Sequence, residues 1–157
     1  MLIQLTYEQI ANSWDFIKGT LNSALLPVYG EDQKKYDRIL EGMLNGSMQC
    51  WISFDYDGEK NKHVNGVVVT HISTDIWSNV KSLYIYSLCA VASTTPDTWT
   101  IGFKTLAKWA LSRGCKRIIA HSKEPQVIEN VNRLGGNTDY SFISIPIFVQ
   151  HLNEGEG

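Results

Sequence analysis

Two hydrophobic rhythms divide this chain. From Thr6 to Leu44 apolar residues return every three or four positions, from Gln49 to Val91 they form short strand-like blocks, and beyond that the two patterns alternate. Met1 to Leu5 reads as a short strand. Thr6-Tyr-Glu-Gln9 has the spacing of a capping box, so a helix is expected there, with Ile10, Trp14, Ile17 and Leu21 on its buried face and Pro27 closing it. A second helix is predicted from about Glu31 to Leu44. Its inner side is Tyr36, Ile39, Leu40 and Met43, while Lys34, Lys35, Asp37 and Arg38 mostly face water. Asn45-Gly46 ends it. Three strands follow, Gln49 to Tyr56, Gly66 to Ile72 and Leu83 to Val91, joined by polar connections into an antiparallel meander. Val67-Val68-Val69 is apolar on both faces, as a central strand requires.

The third strand leads through a helix, Phe103 to Arg113, with Phe103, Leu106, Ala107, Ala110 and Leu111 on one side and Gly114 at its end. A strand at Lys116 to Ser122 comes next, and a strand-helix-strand crossover of this kind makes a parallel pair. Pro125 starts a further helix with Val127, Val131 and Leu134 inward, Gly135-Gly136 ends it, and Tyr140 to Val149 is expected to be the last strand. The fold class is therefore α+β with a mixed sheet.

Composition narrows the function without naming it. At 157 residues, 43% hydrophobic and 19% charged, the chain makes one domain, 1–150, with a polar, glycine-rich tail, 151–157, expected to be flexible. A net charge of -2 gives no electrostatic footprint for nucleic acid or an anionic membrane; Lys60 to His63 reads as a hairpin tip. Cys50, Cys89 and Cys115 are odd in number and sit in apolar surroundings, which points to reduced core thiols and a soluble, cytoplasmic protein. No basic and apolar leader and no spanning apolar segment is evident.

Candidate chemistry is sparse. His63, His71, His121 and His151 have no metal-ligand spacing among themselves or with the cysteines, so no metal is expected. His71, near Asp75, is the candidate catalytic base, with Tyr84 or Tyr86 behind it; a Cys89–His71 pair reads more simply as neighbours in a sheet. Of five tryptophans, Trp14 fits a core face, whereas Trp77 and Trp99 fall in connections and would mark a contact surface if exposed.

The order of elements, with the phrases Ile101 to Ile118 and Asn130-Val131-Asn132-Arg133-Leu134-Gly135-Gly136, resembles the GNAT superfamily of acyl-CoA-dependent N-acyltransferases. The resemblance implies an acyl-CoA pyrophosphate loop of pattern Arg-x-x-Gly-x-Gly/Ala after the third meander strand. It implies cofactor-binding positions at Val91, Thr98, Thr100, Gly102 and Phe103. Of that pattern only Gly102 matches: Asp97 stands where the arginine belongs, Thr100 at the central glycine and Thr98 at an optional one. A carboxylate repels a diphosphate, and Thr95-Pro96-Asp97 is itself a good helix start. The tyrosine that serves many members as general acid aligns with Val131, which has no proton to give.

Three readings follow. The joint loss of loop and tyrosine favours a non-catalytic GNAT-fold protein that needs no cofactor and acts through a protein partner or self-association. Such a chain is similar to the GNAT-like proteins of tailed bacteriophages in its short first strand, its Trp-containing first helix and the strand start Gln49-Cys-Trp51, which would place it in the host cytoplasm or the virion. The alternative is a divergent acetyl-CoA-dependent N-acetyltransferase acting on an amine. The third is an acyl-CoA-binding sensor.

Overall fold

A computed structural model describes residues 1–25, 32, 34–145 and 147. Pro27, Glu31, His151, the end of the expected last strand and the tail 151–157 lie outside the described residues. Among the described residues the sheet has five strands in the order β1-β2-β3-β4-β5. They are β1 (Leu2–Gln4), β2 (Met48–Tyr56), β3 (Lys62–Asp75), β4 (Val80–Ala90) and β5 (Arg117–Ala120). The first four are antiparallel neighbours; β4 and β5 are parallel. Helices α1 (Tyr7–Asn12), α2 (Trp14–Ala24) and α3 (Lys35–Leu44) precede β2, α4 (Pro96–Ser112) makes the crossover, and α5 (Pro125–Arg133) follows β5.

Each face of the sheet has its own core. On one, Ile10, Ile17, Leu21, Tyr36, Ile39 and Met43 from α1–α3 meet Cys50, Ile52, Phe54, Val67 and Val69. On the other, Leu106 and Ala110 of α4 meet Trp51, Val68, Leu83 and Cys115. The alternation of Val67, Val68 and Val69 between these cores is the central-strand pattern expected of them. On this second face Trp51 Nε1 donates to Thr70 Oγ1 at 3.0 Å, and Thr70 donates in turn to Gln49 Oε1 at 3.0 Å, so three buried polar groups of β2 and β3 satisfy one another.

Several boundaries differ from the expectation. The capping box forms, with Gln9 N–H on Thr6 Oγ1 and Thr6 N–H on Gln9 Oε1, but the helix breaks at Ser13, which ends α1 and begins α2. Asn12-Ser13 is a poor helix pair because both side chains compete for the backbone. The central helix begins at Pro96, not Phe103, on a Thr95 cap. Residues 140–145 and 147 do not form the predicted strand. Tyr140, Ile143, Ile145 and Ile147 stay largely exposed, so the alternating pattern there finds no ladder among the described residues.

Candidate functional site

The parallel pair holds only four rungs, from Ser82–Arg117 to Ile85–Ala120. Beyond the last, β4 continues through Tyr86 to Ala90, paired with β3 but no longer with β5. A cleft that opens where two parallel strands part, at their carboxyl ends, is where α/β sheets place ligands. At the same point β4 carries a bulge: Val69 pairs with Ser87 and Thr70 with Ile85, leaving Tyr86 unmatched.

Aromatic and imidazole side chains converge on the last rungs. Tyr84 Oη and His121 Nδ1 are 2.5 Å apart, joining β4 to the residue just after β5. His71, opposite Tyr84 on β3, stacks on its ring with centroids 4.9 Å apart and also meets Tyr86 edge-on at 6.2 Å. Phe142, from the segment after α5, lies 4.3 Å from the His121 ring. A phenol and an imidazole sharing one proton form an acid–base pair in principle, since either atom can hold it. Of the candidates named from the sequence, His71, Tyr84 and Tyr86 are brought together, whereas Asp75 sits at the far turn, bound to Trp77 N–H and Ser78 Oγ. Cys89 pairs with Val67, several rungs from His71, so the two form no couple. His121 was not picked out as a site residue, because a histidine 37 positions from its tyrosine has no local signature.

The first turn of α4 is closed by the chain's own groups. Thr95 Oγ1 accepts from Thr98 N–H at 3.3 Å, the Thr95 carbonyl accepts from Trp99 N–H, and Pro96 has no amide proton. Val91 N–H is bound to the Asn65 carbonyl at 3.0 Å. Thr100, Gly102 and Phe103 lie inside the helix, where each amide points to the carbonyl four residues back. From α5, Arg133 donates to the Pro96 carbonyl at 2.9 Å and to Thr100 Oγ1 at 3.1 Å, tying the two helices. Asp97 lies in this same first turn. A diphosphate arriving here finds the Asp97 carboxylate, and the Thr98 and Trp99 amides already engaged, in place of a glycine cradle. The residues present do not fit that part of acyl-CoA.

The connection that follows α5 depends on two glycines. Gly135 has φ +83°, and Gly136 lies so close to the last helical turn that a Cβ there would come within 2.5 Å of Val131 Cγ1. Among the described residues no group of three His, Cys, Asp or Glu could hold a metal ion, and no helix is long and apolar enough to cross a membrane.

No protein-family model and no curated protein matches the sequence. Solved structures do match its fold. A probable acetyltransferase superposes with a TM-score of 0.66 at 12% identity, covering 94% of this chain and 98% of its own. AAC(6')-Iy in complex with the bisubstrate analogue CoA-S-monomethyl-acetylneamine gives 0.65 at 14%, covering 94% and 97%. An aminoglycoside acetyltransferase from an uncultured soil metagenomic sample gives 0.63 at 16%, covering 94% and 98%. With its meander, its parallel β4–β5 pair and its α4 crossover, this chain has the GNAT acetyltransferase fold.

Proposed function

We propose that the chain is a divergent N-acyltransferase that moves an acyl group from a thioester to an amine at the mouth where β4 and β5 part. The observation that carries this reading is the Tyr84–His121 pair on the last rungs of the parallel strands. It supplies a phenol where the Val131 position has none. In the reaction the amine nitrogen bonds to the acyl carbon, the carbon–sulfur bond breaks, and the thiolate leaves. Tyr84 gives that sulfur a proton, His121 Nδ1 restores the phenol, and the amine's surplus proton passes to water, which recharges the imidazole. Positioned proton transfer of this kind contributes about 10²- to 10⁴-fold. The acetyltransferases of like fold support the reaction class by analogy.

Thiol release from acetyl thioesters over a panel of primary amines tests the reading. Turnover that falls about 100-fold or more in Tyr84→Phe, with unchanged folding, is expected. Turnover indistinguishable from the blank over the whole panel would refute it.

A second reading, a non-catalytic contact protein of the kind found in phage virions, is favoured by the self-capped first turn of α4 and its Arg133 tie. Trp77, 91% exposed on a turn ordered by Asp75, offers such a protein a contact point. Native mass measurement with candidate virion proteins distinguishes the two, because a contact protein forms a defined complex and releases no thiol. The sensor reading requires acyl-CoA binding and is met by the same experiments.

A further inference from the structure

The end of the sheet far from the transfer mouth carries the β3–β4 hairpin, at the amino ends of the parallel pair. Ile76 and Trp77 stand at its tip, 79% and 91% exposed, and neither belongs to either core. We propose that this end of the molecule docks on the surface of an anionic phospholipid bilayer. Ile76 and Trp77 enter the headgroup layer, and Lys81, Arg113, Lys116 and Arg117 meet the negative headgroups. A molecule docked in this way presents the mouth between β4 and β5 to the solution.

Two further observations carry this. The first is that the turn has already used its polar groups. Trp77 N–H donates to Asp75 Oδ1 at 3.1 Å, Asn79 N–H to the Asp75 carbonyl at 2.7 Å, and Ser78 Oγ to Asp75 Oδ2 at 2.8 Å. Val80 N–H reaches Ser78 Oγ at 3.4 Å. A loop whose amides are satisfied can leave bulk water without stranding them. Tryptophan suits the headgroup depth, since its body is apolar and its one N–H stays wet. A protein partner would have to bring a pocket shaped for two adjoining side chains, whereas a fluid layer takes a convex tip without one. The second observation is the charge around the tip. Lys81 follows the turn, opposite Thr74, and its carbonyl accepts from Lys116 N–H at 2.8 Å. A Cβ on Gly114, next to Arg113, would lie 3.9 Å from Lys81 Cδ, and Arg117 donates to Ser82 Oγ at 2.8 Å. All four cations are exposed, and none forms an ion pair among the described residues. The turn's own acid, Asp75, is engaged by Ser78 and the Trp77 amide and lies in the field of Arg117. The net charge of -2 is an average over the chain and does not describe this end. Each cation held near an anionic bilayer is worth about fivefold in affinity.

Co-sedimentation of the whole chain with vesicles of phosphatidylcholine, alone or with about 30% phosphatidylserine, tests the proposal. Binding to the anionic vesicles is expected to be about tenfold or more tighter than to the neutral ones, and to weaken about tenfold or more in about 0.5 M salt. Ile76→Ser and Trp77→Ser lie outside both cores, so each should keep the wild-type circular dichroism and melting temperature while lowering binding about fivefold or more. Lys81→Glu combined with Lys116→Glu should remove the preference for anionic vesicles. Lipids brominated near the headgroup should quench the tryptophan emission of wild type more than that of Trp77→Phe. Equal affinity for the two kinds of vesicle, no sedimentation with either at low salt, or binding that survives both tip variants overturns the proposal. Self-association that depends on Trp77, with no vesicle binding, assigns the tip to a second copy of the chain and overturns it as well. None of these outcomes depends on acyl transfer.

Discussion

Thr70→Val is the sharpest test of the polar link between β2 and β3 on the face that carries Trp51. Thr70 is fully buried in β3, and its hydroxyl accepts from Trp51 Nε1 and donates to Gln49 Oε1, each at 3.0 Å. Valine keeps the shape and the strand preference, so the change removes one oxygen and little else. It strands an indole N–H and an amide carbonyl in residues only 3% and 6% exposed. Each stranded group costs about 1–3 kcal/mol, and no longer burying the hydroxyl returns part of that, leaving a net loss of roughly 2–3 kcal/mol. For a domain of this size the Tm should fall by about 4–12 °C. Urea unfolding followed by tryptophan fluorescence and circular dichroism measures the loss, with an unchanged m-value marking a pure stability effect. Thr70→Ser keeps the hydroxyl and loses a methyl, so about 1 kcal/mol is expected from it. If the valine variant were as stable as wild type, or more stable than the serine variant, the hydroxyl would not be joining Trp51 to Gln49.

Other outcomes follow from single residues. Thr95→Ala removes the α4 cap and should cost about 1 kcal/mol, read as a lower denaturation midpoint, whereas Thr95→Ser should retain most of it. Burial pushes the Cys50 thiol up to about 12, so an aromatic disulfide reagent at pH 8 should label half-buried Cys89 in the native protein and Cys50 only on unfolding; equal rates would contradict the buried placement. His63 foremost, then the Asn61 amide, hold the Asp57 carboxyl below its ordinary value at the β2–β3 hairpin. A depressed carboxylate stabilises the fold above its unfolded pKa, so this contribution is present at neutral pH and is lost as acid takes the solution below about pH 4. Amide shifts of 57–63 should move over that window in wild type and stay still in Asp57→Asn.

Much of the architecture was legible because it is written in local periodicity. The 3.6-residue recurrence from Ile10 to Leu21 and the apolar block Val67-Val68-Val69 each have one physical solution, and both are realised. Thr95-Pro96-Asp97 also spoke clearly as a helix start, and the structure uses it as one. What local pattern cannot carry is pairing. Tyr140 to Ile147 has the alternation of a strand, yet a strand exists only through its neighbour, and β5 offers just four residues. The site is the extreme case. Tyr84 and His71 meet because of β3–β4 register, and His121 reaches them only because the crossover through α4 brings β5 parallel to β4. Arg133 was invisible for the same reason, since its partners Pro96 and Thr100 lie more than thirty residues earlier in the chain.

The bulge at Tyr86 gives the chain one position in β4 where its length is not fixed by register. Val69–Ser87 and Thr70–Ile85 are consecutive rungs on the β3 side, so removing Tyr86 would join two ladders that already agree. Removing a residue of the strand away from the bulge would turn its remainder over and carry apolar side chains to the wrong layer. Insertions and deletions in relatives of this chain should therefore collect at the bulge, near the end of β5, where a change in length keeps the register of β3 with both halves of β4.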